Sequence, residues 1–233
     1  MSKPLAQWLA PPHPTFRSHE SKSLPYKFID QTLDANPDAL IVNMGSAWVR
    51  LHDKVLNLDL FLESEVDVQG DLLALPFADS TIDAVVCTGV LEHVADAYLA
   101  AQEIHRVMKP NGKVYIELPW MQGIHASPHD FQRWTPQGYV SLFDGFDIEY
   151  VRVAAGPASA LAWMFQETLA LLFSFNNETL YKIGLRVFGW LAVPISWLDF
   201  FLEKHPRAES IASGFALQLK KTASFQTQSK RLR

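Results

Sequence analysis

Three stretches of this chain carry residues that could do chemistry. The first is "ALIVNMGSAWV" (39–49), an apolar run ending in Asn43-Met44-Gly45, then Ser46-Ala47-Trp48. A strand followed by glycine begins a nucleotide-binding turn, because backbone N–H groups can approach a ligand where no side chain intervenes. The glycines that should follow are replaced by Ala47 and a bulky Trp48. The second stretch is Leu91-Glu92-His93-Val94, where glutamate and histidine side by side could act as an acid/base pair. A lone histidine at a helix start can equally pack or cap. The third is "WMQGIHASPHDFQRWTPQGYVSLF" (120–143). In it His129 is a candidate general base, Arg133 could bind an acidic acceptor, and Trp120 and Trp134 could wall a pocket beside His125. Asp130 and Arg133 stand three apart and could instead clamp a turn, leaving the loop structural. His125 and His129 have i,i+4 spacing, but Ser127-Pro128 interrupts any helix between them. No Cys/His set completes a site, so no metal is expected.

Hydrophobic periodicity supplies the elements that must position these residues. "ALIVNM" (39–44), "VLNLDL" (55–60), "TIDAVVCTG" (81–89) and "KVYIELP" (113–119) are short apolar runs of the kind buried in parallel sheets. Between the last two, Leu99, Ile104, Val107 and Met108 have helical spacing, and Pro110-Asn111-Gly112 supplies a stop. Strands alternating with helices predict an α/β fold. "YKFIDQTLDAN" (26–36) reads as a short helix after a proline-rich arm. "FDIEYVRVAA" (146–155) and "SGFALQLKK" (213–221) alternate as strands. Only about 11 residues separate Asn43 from the strand at 55, too few for an ordinary parallel crossover, so its helix is expected to be absent or reduced to a turn.

Composition bounds the function. Hydrophobic residues form 48% and charged residues 19% of the chain, a globular balance. A net charge of −5 argues against a nucleic-acid binder, which shows a basic surface. The single cysteine, Cys87, permits no intrachain disulfide, which suits a reducing cytoplasm, and the N-terminal residues carry no apolar secretory core. Residues 156–210 are rich in Leu, Phe, Ala and Trp. Their charge-free stretches, 153–166 and 187–198, fall short of the ~18–20 residues of a conventional span. The region is open to three readings: a helical cap, a surface anchor placing tryptophans at a membrane interface, or a dimer face or lid over an apolar acceptor.

The stretches "GDLLALPFADSTIDAVVCTGVLEHV" (70–94) and "EIHRVMKPNGKVYIELP" (103–119) resemble the signatures of class I S-adenosylmethionine-dependent methyltransferases, in particular the type 11-like group. The resemblance covers roughly residues 38–154 and a final strand near 213–220. It implies a Rossmann-like, doubly wound, mostly parallel seven-stranded sheet with an antiparallel last strand, here with a helical apolar insertion before that strand. It also implies S-adenosylmethionine lying across the carboxyl ends of the first, second and fourth strands. Carried onto this chain, Gly45 matches the first glycine of the donor loop. Asp59 would accept from the ribose hydroxyls. Asp71 and the Leu72 backbone would meet adenine, and Thr88 and Gly89 would lie beside the methionyl part and the reacting methyl. "HDFQRWT" resembles a stretch common among relatives. His93 and His129 are the candidate bases, though methyl transfer needs none unless the acceptor holds a proton.

The expected organisation is an arm and short helix (1–37), the core (38–155), the apolar insertion (156–210), the last strand (211–221) and a flexible basic tail (222–233). The expected activity is methyl transfer to O or N of a small or lipid-linked acceptor. The eroded loop keeps open an alternative, a non-catalytic methyltransferase-like fold serving as a membrane-associated or assembly partner. No nucleic-acid partner is expected. The expected location is cytoplasmic, with peripheral contact on the inner face of a membrane through 156–204 and a homodimer both kept open.

Overall fold

The computed structural model describes residues 19–222. The expected proline-rich arm, up to residue 18, and the expected tail, from residue 223, lie outside the described residues. The chain divides into two compact units. One holds Ser23–Pro119, Ile124–Arg152 and the chain from Phe215; the other holds Trp120–Gly123 and Val153–Gly214.

The first unit is built on a seven-stranded sheet of order β3-β2-β1-β4-β5-β7-β6. Its strands are β1 (Ile41–Met44), β2 (Val55–Asp59), β3 (Val68–Gln69), β4 (Ile82–Thr88), β5 (Met108–Pro119), β6 (Phe146–Ala155) and β7 (Gly214–Lys221). β1 pairs in parallel with β2 and β4, β2 with β3, and β4 with β5. Val85, Val86, Cys87, Val114 and Ile116 are fully buried, which is why these strands read as continuous apolar runs rather than alternating ones. Strand order reverses between β1 and β4, and the crevice at their carboxyl ends is where such sheets bind ligands.

Three details depart from expectation. Helix α1 spans His19–Ala35, so it begins before Pro25 rather than after it. The missing proline N–H costs a helical bond, but Phe28 and Ile29 are buried, Phe28 against the Tyr115 ring at 5.8 Å. The short strand β3 had no periodicity long enough to announce it. And the 110–112 turn lies inside β5 as an irregularity, with Asn111 at φ +63°; asparagine tolerates that region better than most residues.

Helix starts are held by local caps. Helix α2 (Ala97–Val107) is capped by Asp96, which accepts from the Leu99 N–H at 2.9 Å. Helix α3 (Pro136–Leu142) is capped by Thr135, which accepts from the Gly138 N–H at 3.1 Å, with proline opening the helix. Only turns join β1 to β2. Buried amides do the work of the absent helix. Asn43 donates to Asn57 at 3.1 Å, and Asn57 donates to the carbonyls of Val49 and Glu65 at 3.1 and 2.8 Å. Arg50 ties the same crossover to Glu65 and Asp67, both at 2.9 Å.

The second unit is helical: α4 (Pro157–Leu172), α5 (Glu178–Ser196) and α6 (Asp199–Leu202). Buried Asp199 accepts from the Ala158 and Ser159 N–H groups at 2.8 and 2.7 Å, meeting the unpaired donors at the start of α4. A Cβ on Gly156 would sit 2.2 Å from that carboxylate, so glycine is required there. Gly184 lies against Ala170, small residues that let α4 and α5 approach closely. Trp190, Trp197, Phe200 and Phe201 are exposed. The helical stretch Glu178–Leu202, within which an 18-residue window reaches a mean hydropathy of 1.4, is long and apolar enough to cross a membrane by length and composition. That exceeds the sequence expectation, because scattered charges do not shorten a helix.

Candidate active site

A cavity of about 500 Å³ opens at the carboxyl ends of the strands, lined among others by Gly45, Asp59, Asp71, Leu72, Gly89 and His93. Its size falls in the range of small-molecule sites, roughly 300–1,000 Å³. Trp48 borders it but is 74% exposed and leaves it open.

The loop after β1 keeps a tight turn despite its missing glycines. Gly45 has φ +72°, and an added Cβ would lie 2.3 Å from Val90 Cγ2, so both conformation and packing demand glycine. Ala47 also takes positive φ, +46°, a region that costs an L-residue about 1–2 kcal/mol. Asp59 holds it there, accepting from the Ala47 N–H at 2.8 Å. The other Asp59 oxygen accepts from the Phe61 N–H at 3.0 Å. Asp59 therefore shapes the loop and still presents lone pairs to the cavity. Asp71 accepts from the Leu73 N–H at 2.9 Å, which fixes its own turn at the cavity's edge. Leu72 is buried beside it.

Gly89 follows β4 with φ +67° and lines the cavity. Thr88 closes the strand half-buried, paired with Glu117, and does not line it. Cys87 is buried beneath, its thiol pushed up by burial and by the Glu92 charge, so it is no nucleophile.

Leu91–His93 form a short helical turn that places a buried carboxylate behind the cavity. Glu92 is 1% exposed. Its Oε1 lies 3.8 Å from His93 Nε2 and 3.6 Å from His125 Nε2. The loop after β5 brings His125 there. Asp130 accepts from the His125 backbone N–H at 2.9 Å. Asp130 and Arg133 form a two-pronged pair, one prong at 2.7 Å. The Asp130 carboxyl is held well below the usual carboxylate range, first by the Arg133 hydrogen bond, then by the His125 N–H and the Arg133 charge, against opposing desolvation. The clamp reading of Asp130 and Arg133 is thus realised. The His129 ring is exposed, while its carbonyl accepts from His93 Nδ1 at 2.6 Å. Trp134 is half-buried along a shallow hollow with Tyr98 and Leu142, apart from the cavity. Trp120 belongs to the helical unit, its N–H donating to the Ser213 carbonyl at 2.8 Å.

Sequence reading missed Val90, Ser127 and Pro128 as lining residues, since apolar and small side chains carry no chemical signal. As a metal ligand it weighed His125 only with His129, whereas the fold brings it to Glu92 and His93.

The family described as a methyltransferase domain matches residues 44–116. The chain is 31% identical over 129 residues to a 2-phytyl-1,4-naphtoquinone methyltransferase of a Nostoc species, covering 54% of this chain and 56% of that protein. It is 30% identical over 78 residues to a cycloartenol-C-24-methyltransferase of Arabidopsis thaliana, covering 34% and 23%. It thus spans about half the length, or less, of the curated relatives it matches. Among solved structures, a candidate sarcosine dimethylglycine methyltransferase from Galdieria sulphuraria aligns over 90% of this chain and 93% of its own, with a TM-score of 0.53 at 15% identity. At that identity the likeness concerns the fold alone. None of these names points to a non-catalytic role.

Proposed function

We propose that this chain is a class I S-adenosylmethionine-dependent methyltransferase, and that it moves a methyl group from S-adenosylmethionine to a small apolar or lipid-linked acceptor of quinol or sterol type; the matching methyltransferase domain and curated relatives support this. The carrying observation is the cavity, with two glycines at positive φ facing two carboxylates across the strand ends. The residues suit the donor. Asp59 can accept from a vicinal diol while it holds the loop, and Asp71 with Leu72 can border a purine. Gly45 and Gly89 leave backbone where an amino-acid moiety would lie. When bound, the donor supplies an electrophilic methyl on a sulfonium. The protein's part is to align the acceptor and exclude water. The Glu92, His93 and His125 cluster stands beside Gly89, on the side of the cavity where an acceptor would meet the methyl. The acceptor class rests on the named substrates of the relatives. Because one of those names specifies a carbon, the reacting atom is an oxygen or an activated carbon rather than only the O or N expected from the motifs.

Calorimetry with S-adenosylmethionine and its demethylated product tests this reading. Both should bind the wild type once per chain. Asp59→Ala should weaken them about 30-fold, about 2 kcal/mol for a charge-assisted hydrogen-bond acceptor. No heat from either compound with folded wild type would refute it.

The exposed aromatic face of α5 and α6 supports a peripheral seat on a lipid surface, where an apolar acceptor would be found. Wild type should co-sediment with anionic vesicles, and Phe200→Glu with Phe201→Glu should abolish this. A dimer that hides these side chains and ignores vesicles would replace the membrane seat.

A further inference from the structure

Glu92, His93 and His125 bring three ligand atoms within 4.8 Å of one another, from two separate segments of the same unit. Their hydrogen-bonding logic asks for a cation. A carbonyl oxygen can only accept, so the 2.6 Å contact with the His129 carbonyl fixes the hydrogen of His93 on Nδ1. The neutral ring then aims its Nε2 lone pair at Glu92 Oε1, 3.8 Å away. Two acceptors facing each other repel until positive charge lies between them. A proton would settle one such pair at about 2.7–3.2 Å. Here Oε1 stands almost equally far, 3.8 and 3.6 Å, from two ring nitrogens. These spacings suit one shared ion, since bonds of about 2.0–2.1 Å in tetrahedral arrangement set neighbouring ligands ~3.4 Å apart. Glu92 Oε2 is buried with no hydrogen-bond partner among the described residues, leaving a desolvated carboxylate short of compensation.

The His93 ring is oriented by a carbonyl on its other nitrogen. His125 Nδ1 lies 3.3 Å from Arg133 Nη2, which can only donate, so the metal-free ring carries its hydrogen on Nε2; binding an ion there moves that hydrogen to Nδ1, which faces Asp130 Oδ2 at 3.6 Å. We propose that Glu92, His93 and His125 form a site for a divalent first-row transition ion at the wall of the cavity. Two imidazoles and one carboxylate favour such an ion over magnesium or calcium, and three protein ligands leave a coordination position open. His93 lines the cavity, and Glu92 Oε1 lies 3.6 Å from where a Cβ on Gly89 would stand. The open position is therefore placed to take an acceptor hydroxyl. Coordination lowers its pKa, the proton passes to solvent water, and the oxygen keeps its electron pair for the methyl as the sulfur–carbon bond breaks. That role rests on the methyltransferase reading; binding of the ion does not.

Chelator-stripped full-length protein, titrated with Zn²⁺ and with Co²⁺, decides the matter. One ion per chain is expected, with a visible Co²⁺ absorption band of low-symmetry nitrogen–oxygen coordination. Glu92→Gln and His125→Ala should each weaken binding at least tenfold. His129→Ala, which removes a ring outside the set, should leave it within twofold. Circular dichroism melts confirm folding of each variant, and if Glu92→Gln fails to fold, the loop variant His125→Ala decides alone. No ion on the wild type at millimolar metal, or unchanged affinity in the folded ligand variants, overturns the site. Donor binding without metal binding would remove this inference and leave the methyltransferase reading standing. Metal binding without donor binding would do the reverse.

Discussion

Two charged regions flank the same motifs, and they are built on opposite rules. Around Arg106 the protein supplies the partners. Its guanidinium donates to Glu103 at 2.8 and 2.7 Å, to Asp79 at 2.7 Å, and to the Phe77 and Leu75 carbonyls at 2.9 and 3.1 Å. Glu103 in turn accepts from the Leu75 N–H at 2.9 Å. Around Glu92 the nearest cationic candidates are two histidines beyond hydrogen-bond distance, and one carboxylate oxygen has no partner among the described residues. A saturated charge network holds backbone in place; an unsaturated buried charge is held ready for something that binds.

The largest test of that contrast is Arg106→Ala. It strands Glu103 and two carbonyls, and should cost about 3 kcal/mol, discounted from a fully buried network because Arg106 is one-third exposed. Thermal melting should show a fall of roughly 6–12 °C, with donor affinity of the folded protein preserved. A loss of affinity without a loss of stability would reverse the assignment of the two regions.

Glu92→Gln should act in the opposite sense. Removing a buried, under-compensated charge should raise the melting temperature of metal-free protein, by about 1 kcal/mol of stability or roughly 2–4 °C. A strong destabilisation would mean that Glu92 belongs with the structural charges.

Acid titration separates the regions again. The Glu103 carboxyl is held below its ordinary 4.5, first by the Arg106 hydrogen bond, then by the Leu75 N–H and the Arg106 charge, with desolvation opposing. A depressed folded value means its stabilisation is present above 4.5 and is lost as pH falls through the folded value. Urea unfolding followed downward from pH 5 should lose stability in wild type more steeply than in Glu103→Gln.

The smallest effect is expected at the donor loop. Ala47→Gly relieves a positive-φ alanine at the cost of chain entropy, and should stabilise by up to about 1 kcal/mol in melting experiments. A destabilisation would show that the Ala47 side chain contributes packing that outweighs its strain.

How much could be read in advance varies with the range of the interaction. The apolar runs at 39–44, 81–89 and 113–119 announced buried parallel strands, because burial on both faces leaves a purely local trace. The short β1–β2 crossover predicted a missing helix from length alone. Asp59, Asp71, Gly45 and Gly89 were found through motif resemblance, and the structure places all four on one cavity. Strand β3 escaped because two residues carry no period, and helix α1 began early because tertiary burial outweighs a proline.

Sequence alone thus determined most of the strand and helix pattern, the glycine after β1 and the carboxylates at the strand ends, since periodicity, turn chemistry and motif spacing are properties of neighbouring residues. Tertiary structure decided which charges are satisfied. Asp130 turned to Arg133, and His125 left its neighbour His129 to face Glu92 and His93, more than thirty positions away. No local pattern encodes that meeting, because it depends on where two strand ends deliver their loops.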